Sequence, residues 1–177
     1  MCAIDVSPVV ATERLTLRGP TPADAPVVAR MANDLAVAGM TTSMPHPYTS
    51  ADAEDFCERA LSQDWSREAR FAIEHRHFGV VGMLGFETGF NGRPQLGYWL
   101  GRNFWNRGYA TEAVRAALKW VKRDWRKGLV EAGHFSDNPA SGQVLCKAGF
   151  LYTGDVALAD SRARGAAAPL RRMVWLA

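Results

Sequence analysis

No apolar run in the 177 residues approaches the roughly 18 that cross a bilayer. The opening segment "MCAIDVSPVV" has no basic region leading into an apolar core, so no signal peptide is expected. Cysteine is scarce: Cys2, Cys57 and Cys146 are an odd set at wide spacing, which excludes a disulfide framework and gives no metal-ligand pattern. Histidine pairs at metal-ligand spacing are lacking as well. Charge of one sign is not in strong excess. The formal net charge is +3, and basic residues cluster only in "KRDWRK" and "RRM", too little for a nucleic-acid footprint. The familiar phosphate loops are missing too: there is no Gly-x-Gly-x-x-Gly after a strand and no Gly-Lys-Ser/Thr ending, which argues against a dehydrogenase or an NTPase. These absences lead to the expectation of a cytoplasmic protein that has no membrane or nucleic-acid partner and binds no metal.

The residues present suit one domain spanning 1–177, long enough to bury a sizeable core. Alternation of Leu15 and Leu17 with Thr16 and Arg18 predicts a half-buried strand, followed by a helix from near Pro22 with Asp24 in its first turn. Two prolines among small polar residues make 39–50 a loop. Thr49 or Ser50 then caps a helix whose apolar side is Phe56, Ala60 and Leu61. Three strands follow, "RFAIEH", "GVVGMLGFE" and "PQLGYWL", the last two joined by a turn at Asn91 and Gly92 and all three read as an antiparallel meander. A helix from Tyr109 to about Lys127 comes next, then a strand "LVEAGHF" and a short helix opened by Asn138 and Pro139 and stopped by Gly149. Strands "FLYTGDVAL" and "LRRMVWLA" close the chain, with "ADSRARGAAAP" as a loop between them. This order predicts an α/β fold: a mixed, largely antiparallel twisted sheet with helices on both faces.

The stretch "GYWLGRNFWNRGYATEAVRAALK" carries most of the chemistry. From Tyr109 onward, Ala110, Ala113, Val114, Ala117, Leu118 and Val121 form one apolar stripe. The first turn of such a helix has amides with no partner inside it, at the positive end of the dipole. A glycine at 108 allows positive φ and lets a bulky anion come close. Gly108, Tyr109, Ala110 and Thr111 can therefore cradle a phosphate or pyrophosphate, flanked by Arg102 and Arg107. The same spacing also fits a plain strand-to-helix turn with water on its amides.

Taken with "DNPASGQVLCKAGF" further on, this stretch resembles the GNAT acyltransferase superfamily, in particular its branch of ribosomal-protein N-terminal acetyltransferases. The resemblance runs essentially the whole length, from "TERLTLRGPTPADA" and "PHPYT" to the closing strands. It implies the acyl-CoA N-acyltransferase fold, acetyl-coenzyme A (acetyl-CoA) as cosubstrate, and a primary amine as acceptor, either a protein N-terminus or a small molecule. A homodimer is compatible with it. The family's pyrophosphate loop, Gln/Arg-x-x-Gly-x-Gly/Ala, is matched at Gly108 and Ala110, whereas Trp105 takes the first, usually polar, position. By the same resemblance, the strand "GYWLG" splays from its neighbour and offers amides around Trp99 and Leu100 to the pantetheine arm and the thioester oxygen, as an oxyanion requires.

Acetyl transfer needs a neutral amine. An α-amino group, with a pKa near 8, is far easier to neutralise than a lysine at about 10.4, and a positioned carboxylate or a water relay supplies the base. Asn138 caps the short helix and, by resemblance, contacts coenzyme A. Many members carry a tyrosine on that helix to protonate the thiolate. Leu145 stands in its place, and the branch's serine matches Ser141, read as proton donor or thiol-orienting group, or as a solvated helix serine. For the base the resemblance offers Asp160, with Glu87 at the end of an apolar strand as rival. His75 and His134 read as structural imidazoles, His46 lies on a candidate substrate loop, and Cys146 reads as a buried small apolar residue. Residues 39–50 and the "ADSRARGAAAP" loop are expected to set acceptor specificity. The missing tyrosine leaves a non-catalytic coenzyme A sensor or interaction module as the alternative.

Overall fold

The computed structural model describes residues 7–89 and 91–177. Cys2 and Phe90 lie outside the described residues. The elements run β1 (Val10–Ala11), β2 (Leu15–Arg18), α1 (Ala25–Ala32), α2 (Leu35–Ala38), α3 (Ser50–Leu61), β3 (Ala69–His75), β4 (Gly79–Thr88), β5 (Pro94–Leu100), α4 (Tyr109–Arg123), β6 (Leu129–Phe135), α5 (Pro139–Lys147), β7 (Leu151–Ser161) and β8 (Ala166–Leu176). The strands form one eight-stranded sheet in the order β1-β2-β3-β4-β5-β6-β8-β7. Among the described residues, only the β5–β6 pair is parallel. The mixed, largely antiparallel sheet and the β3–β4–β5 meander expected from the sequence are therefore present. β1, only two residues long, is too short to leave a periodic signal. The predicted first helix opens with a 3₁₀ turn at Pro22–Asp24 before α1 begins.

Alternation along the central strands splits the interior into two layers, since successive strand side chains point to opposite faces. Phe71, Ile73, Leu84 and Phe86 pack with Ala113, Val114, Ala117, Leu118 and Val121 of α4 and with Leu145 of α5. Ala72, Val80 and Met83 pack on the other face with Val28, Ala32, Ala53 and Cys57 of α1 and α3. Burial pushes the Cys57 thiol up to about 11, as expected of a packing residue. In the first layer Phe71 meets Trp120 edge-on, with centroids 5.3 Å apart. α3 begins with a reciprocal cap: the Asp52 amide donates to the Thr49 hydroxyl at 3.2 Å, and the Thr49 amide donates to the Asp52 carboxylate at 2.8 Å.

Two boundaries differ from the sequence reading. α4 ends at Arg123, short of Lys127, because Arg126 turns to φ +53° and the Lys127 amide returns to the Val121 carbonyl at 3.2 Å. The expected "ADSRARGAAAP" loop shrinks to residues 162–165, with the ladder continuing through Asp160↔Ala167 and Ser161↔Ala166. Alanines and an aspartate carry little strand preference. Here the strands are extended by their own register and by contacts at the hairpin tip: the Ser161 hydroxyl donates to the Thr41 carbonyl at 3.0 Å, and the Arg162 amide donates to the Thr42 carbonyl at 3.1 Å. Among the described residues, no helix is long and apolar enough to cross a membrane.

Candidate active site

The parallel pairing of β5 with β6 covers only Gln95↔Glu131 and Leu96↔Ala132. From Gly97 to Leu100, β5 stays on β4 and leaves β6, so a gap opens in the middle of the sheet. Gly82 makes this course sterically feasible, because a Cβ there would stand 2.2 Å from the Trp99 carbonyl oxygen. Tyr98 and Trp99 point to opposite layers: Tyr98 packs on the α4–α5 side, and Trp99 packs with α1 and α3. Leu100 is buried, and its carbonyl accepts the Trp105 indole N–H at 2.8 Å. Trp105 is thus a clasp that folds the loop back onto the end of β5.

Beyond the gap, Gly108 is the N-cap of α4, with φ +79° and ψ −1°. The first helical amide to find its partner is that of Glu112, on the Gly108 carbonyl at 3.0 Å. The amides of Tyr109, Ala110 and Thr111 precede it and have no acceptor one turn back. Asn106 also has positive φ, +59°, so the chain takes two left-handed bends before the helix. The Tyr109 side chain is buried, between the Arg14 guanidinium at 4.7 Å and the His75 ring at 5.0 Å from its centroid. Arg107 is exposed. Arg102 turns toward α2, 3.9 Å from Asp34, the N-cap of that helix.

Arg14, not singled out in the sequence, braces this turn. Its guanidinium donates to the Arg107 carbonyl at 3.1 Å and binds Glu112 at 2.6 and 2.7 Å, while its amide donates to the same carboxylate at 3.0 Å. Burial alone would raise the Glu112 pKa; the Thr12 hydroxyl and the Arg14 donors outweigh it and hold the carboxyl below its usual range. A Cβ at Gly108 would lie 3.4 Å from Arg14 Nη2. The left-handed φ, more than this contact, is what favours glycine at that position.

On the α5 side of the gap, Asn138 caps its helix by accepting the Ser141 amide at 3.3 Å. The Tyr98 hydroxyl lies 2.8 Å from Ser141 Oγ and donates to the Ser141 carbonyl at 3.1 Å. Ser141 is thus not a solvated helix serine; it is paired with a phenol across the gap. The sequence reading gave the Tyr98 hydroxyl no role. A buried phenol needs a hydrogen-bond partner, and that requirement was the available signal. Leu145, at the position where the resemblance led to the expectation of a tyrosine, is fully buried in the core.

Asp160 lies exposed on β7, next to the docked hairpin tip. Glu87 pairs in register with Gln95, before β5 leaves β6, and reaches Arg70 at 3.3 Å. His75 is buried against Phe78 and held below its usual pKa by burial and by neighbouring His77, Arg76 and Arg14. His134 is buried, with Nδ1 on the Phe135 carbonyl and Nε2 on the Tyr152 hydroxyl at 3.0 Å, so both ring nitrogens are satisfied. His46 is exposed. Cys146, expected to be buried, is instead exposed: α5 buries Gly142 and Leu145, and one further residue rotates about 100° away from that stripe. It lines a cleft of about 440 Å³ on the outer flank of α5 with Lys147, Tyr152 and Arg171.

Residues 14–151 match the family model described as an acetyltransferase (GNAT) domain. The chain belongs to the GNAT acetyltransferase family. It is an N-acetyltransferase that uses acetyl-CoA. The chain is 32% identical over 149 residues to the Bacillus licheniformis protein named "uncharacterized N-acetyltransferase p20", covering 81% of this chain and 82% of that protein. Its fold is that of the ribosomal L7/L12 alpha-N-protein acetyltransferase RimL solved with coenzyme A, with TM-score 0.82, 16% identity, and 96% of this chain and 98% of that one covered. It is also that of the microcin C7 self-immunity acetyltransferase MccE solved with acetyl-CoA and AMP, with TM-score 0.80, 17% identity and 94% of each chain covered. In this GNAT chain the amide turn at Gly108 and the gap beside β5 lie on consecutive segments.

Proposed function

We propose that this acetyltransferase holds the diphosphate of acetyl-CoA on the amides of Gly108, Tyr109, Ala110 and Thr111, with Arg107 and Arg102 as flanking charge, and passes the acetyl group to a primary amine in the gap between β5 and β6. The observation that carries the reading is the left-handed Gly108 opening α4 directly beside that gap. Asn138 contacts the cosubstrate from the α5 side. A neutral amine adds to the thioester carbon, and the charge growing on its oxygen meets backbone donors around Trp99 and Leu100. Ser141, held by Tyr98, hands a proton to the departing sulfur, the service for which Leu145 has no group. Asp160, beside the acceptor-facing tip, takes the amine's proton. Glu87 is the second candidate, and solvent the third.

Free thiols at Cys57 and Cys146 support a cytoplasmic location. The acceptor is an N-terminal or small-molecule amine, chosen by residues 39–50 and the hairpin tip. Thiol release from acetyl-CoA, measured with spermidine, an alanyl tripeptide and a seryl tripeptide, tests the activity; release above hydrolysis with at least one is expected. Coenzyme A binding without transfer to any amine would favour the sensor alternative. Asp160→Asn and Glu87→Gln, assayed separately at saturating acetyl-CoA, identify the base: a loss of about 10²-fold or more in kcat is expected for Asp160→Asn, and unchanged rates in both would leave solvent.

A further inference from the structure

The guanidinium of Arg164, at the tip of the β7–β8 hairpin, is only 21% exposed and joins three separate segments. It donates to the Gly39 carbonyl and, at 3.3 Å, to the Met40 sulfur, both on the loop after α2. It donates through two nitrogens to Asp137 at 2.8 and 3.1 Å, a planar two-point contact. It also lies 4.5 Å from the centroid of the Phe135 ring, at the end of β6. Asp137 immediately precedes Asn138, which caps Ser141, which in turn holds Tyr98. A continuous set of contacts thus runs from the 39–43 loop, through one side chain, to the turn that borders the gap from the α5 side. The loop gains further support from the tip through the Ser161 hydroxyl on Thr41 and the Arg162 guanidinium on the Ser43 carbonyl at 3.3 Å. These grip the loop but do not reach Asp137. Among the described residues, only Arg164 hydrogen-bonds to both sides.

We propose that Arg164 is a positioning residue for acetyl transfer: it fixes the acceptor-side loop 39–43 relative to the Asp137–Ser141 turn, so that the amine meets the thioester only while this side chain joins the two. The inference rests on the acetyltransferase reading above. Arg164 touches neither substrate; it acts through the loop and the turn. A lysine at this position keeps a charge for Asp137 but lacks the planar fork that serves Gly39 and Asp137 together.

The test compares the full-length wild-type chain with Arg164→Gln, Arg164→Lys and Asp137→Asn. Acetyl-CoA affinity is measured by calorimetry, amide hydrogen exchange is followed over 39–49 and over α4, and kinetics are run with the amine that releases thiol fastest in the screen above. Arg164→Gln is expected to leave acetyl-CoA affinity within threefold and α4 exchange unchanged. Exchange over 39–49 should speed at least tenfold, and the acceptor KM should rise at least tenfold, by more than kcat falls. Arg164→Lys should recover part of that KM, and Asp137→Asn, whose side chain is exposed, should reproduce the direction with a smaller size. A variant whose acceptor kcat/KM and loop exchange both stay within threefold of wild type would overturn the role of Arg164 while leaving the enzyme intact. So would an equal loss of cosubstrate affinity and acceptor turnover, which would mark general damage to the fold. Failure of the wild type itself to bind acetyl-CoA would remove the acetyltransferase reading, and this proposal with it.

Discussion

Burial pushes the Tyr98 hydroxyl up to about 12, with the Ser141 hydrogen bond pulling the other way, so it keeps its proton across the range in which an amine acceptor becomes neutral. The phenol thereby serves as a fixed donor that orients Ser141 and does not act as a base. Tyr98→Phe removes only this hydroxyl. We expect kcat to fall by about 10-fold or more with acetyl-CoA affinity within threefold, and Ser141→Ala to fall further. Steady-state kinetics of the two single variants and the double variant check this. Because both act on one proton path, the double variant should be little worse than Ser141→Ala, and full additivity would separate the two residues. In the wild type, no loss of kcat attributable to Tyr98 should appear on the alkaline side until pH approaches 12. At this scale the sequence was informative where a residue's local backbone role dictates its type, as at Gly108 and Asn138. It was silent on Arg14, Tyr98 and Arg164, whose partners lie 43 residues away for Tyr98, 98 for Arg14 and 125 for Arg164.

The elements show why some boundaries could be read and others could not. The buried stripe of α4 was legible because period 3.6 repeats over four turns, and Ala113, Val114, Ala117, Leu118 and Val121 are all buried. Its C-terminal end was not, because a non-glycine residue, Arg126, takes positive φ where sequence rules expect Gly or Asn. The β7–β8 hairpin was underestimated for a related reason: alanines 166–168 are strand residues only because Ala159, Asp160 and Ser161 lie opposite them. At the head of α4, Gly108→Ala combines a left-handed backbone penalty of about 1–2 kcal/mol with a Cβ 3.4 Å from Arg14. Thermal unfolding should report a lower Tm, and calorimetry should report acetyl-CoA affinity reduced at least tenfold. An unchanged affinity would show that the amide turn does not face the ligand.

On the scale of the whole molecule, two apolar layers on one sheet leave little room for buried charge, and the largest exception lies far from the gap in sequence. Asp24 is 6% exposed and is bound by Arg18 through two oxygens, each at 2.9 Å, while Arg18 also reaches Glu74 at 2.8 Å. Burial alone would raise the Asp24 pKa, but the Arg18 and Thr21 donors prevail and hold it below its ordinary value. A folded pKa below the unfolded one means that this stabilisation is complete above the unfolded value, near 3.9, and is lost as pH falls through the folded value. Asp24→Asn is therefore expected to cost about 3 kcal/mol at neutral pH and to flatten the acid limb of the stability curve below about pH 4. Urea unfolding from pH 7 to pH 2 measures both. Apart from β1, the strands and the helix order were legible from hydrophobic period together with cap and turn residues, as Leu15, Leu17 and the β3–β5 meander show. The gap was expected only through the family resemblance of "GYWLG", because the departure of β5 from β6 is a property of pairing and leaves no mark on the periodicity of either strand.

The central claim is that the backbone turn at Gly108 grips the diphosphate of acetyl-CoA. Its most direct test is the affinity ratio of acetyl-CoA to acetyl-pantetheine, which keeps the thioester arm but lacks the diphosphate, measured by calorimetry on the wild type and on Gly108→Ala. The wild type should prefer acetyl-CoA by at least 100-fold, and the variant should lose most of that preference while binding acetyl-pantetheine as before. An equal ratio in the two proteins would contradict the claim and place the diphosphate elsewhere.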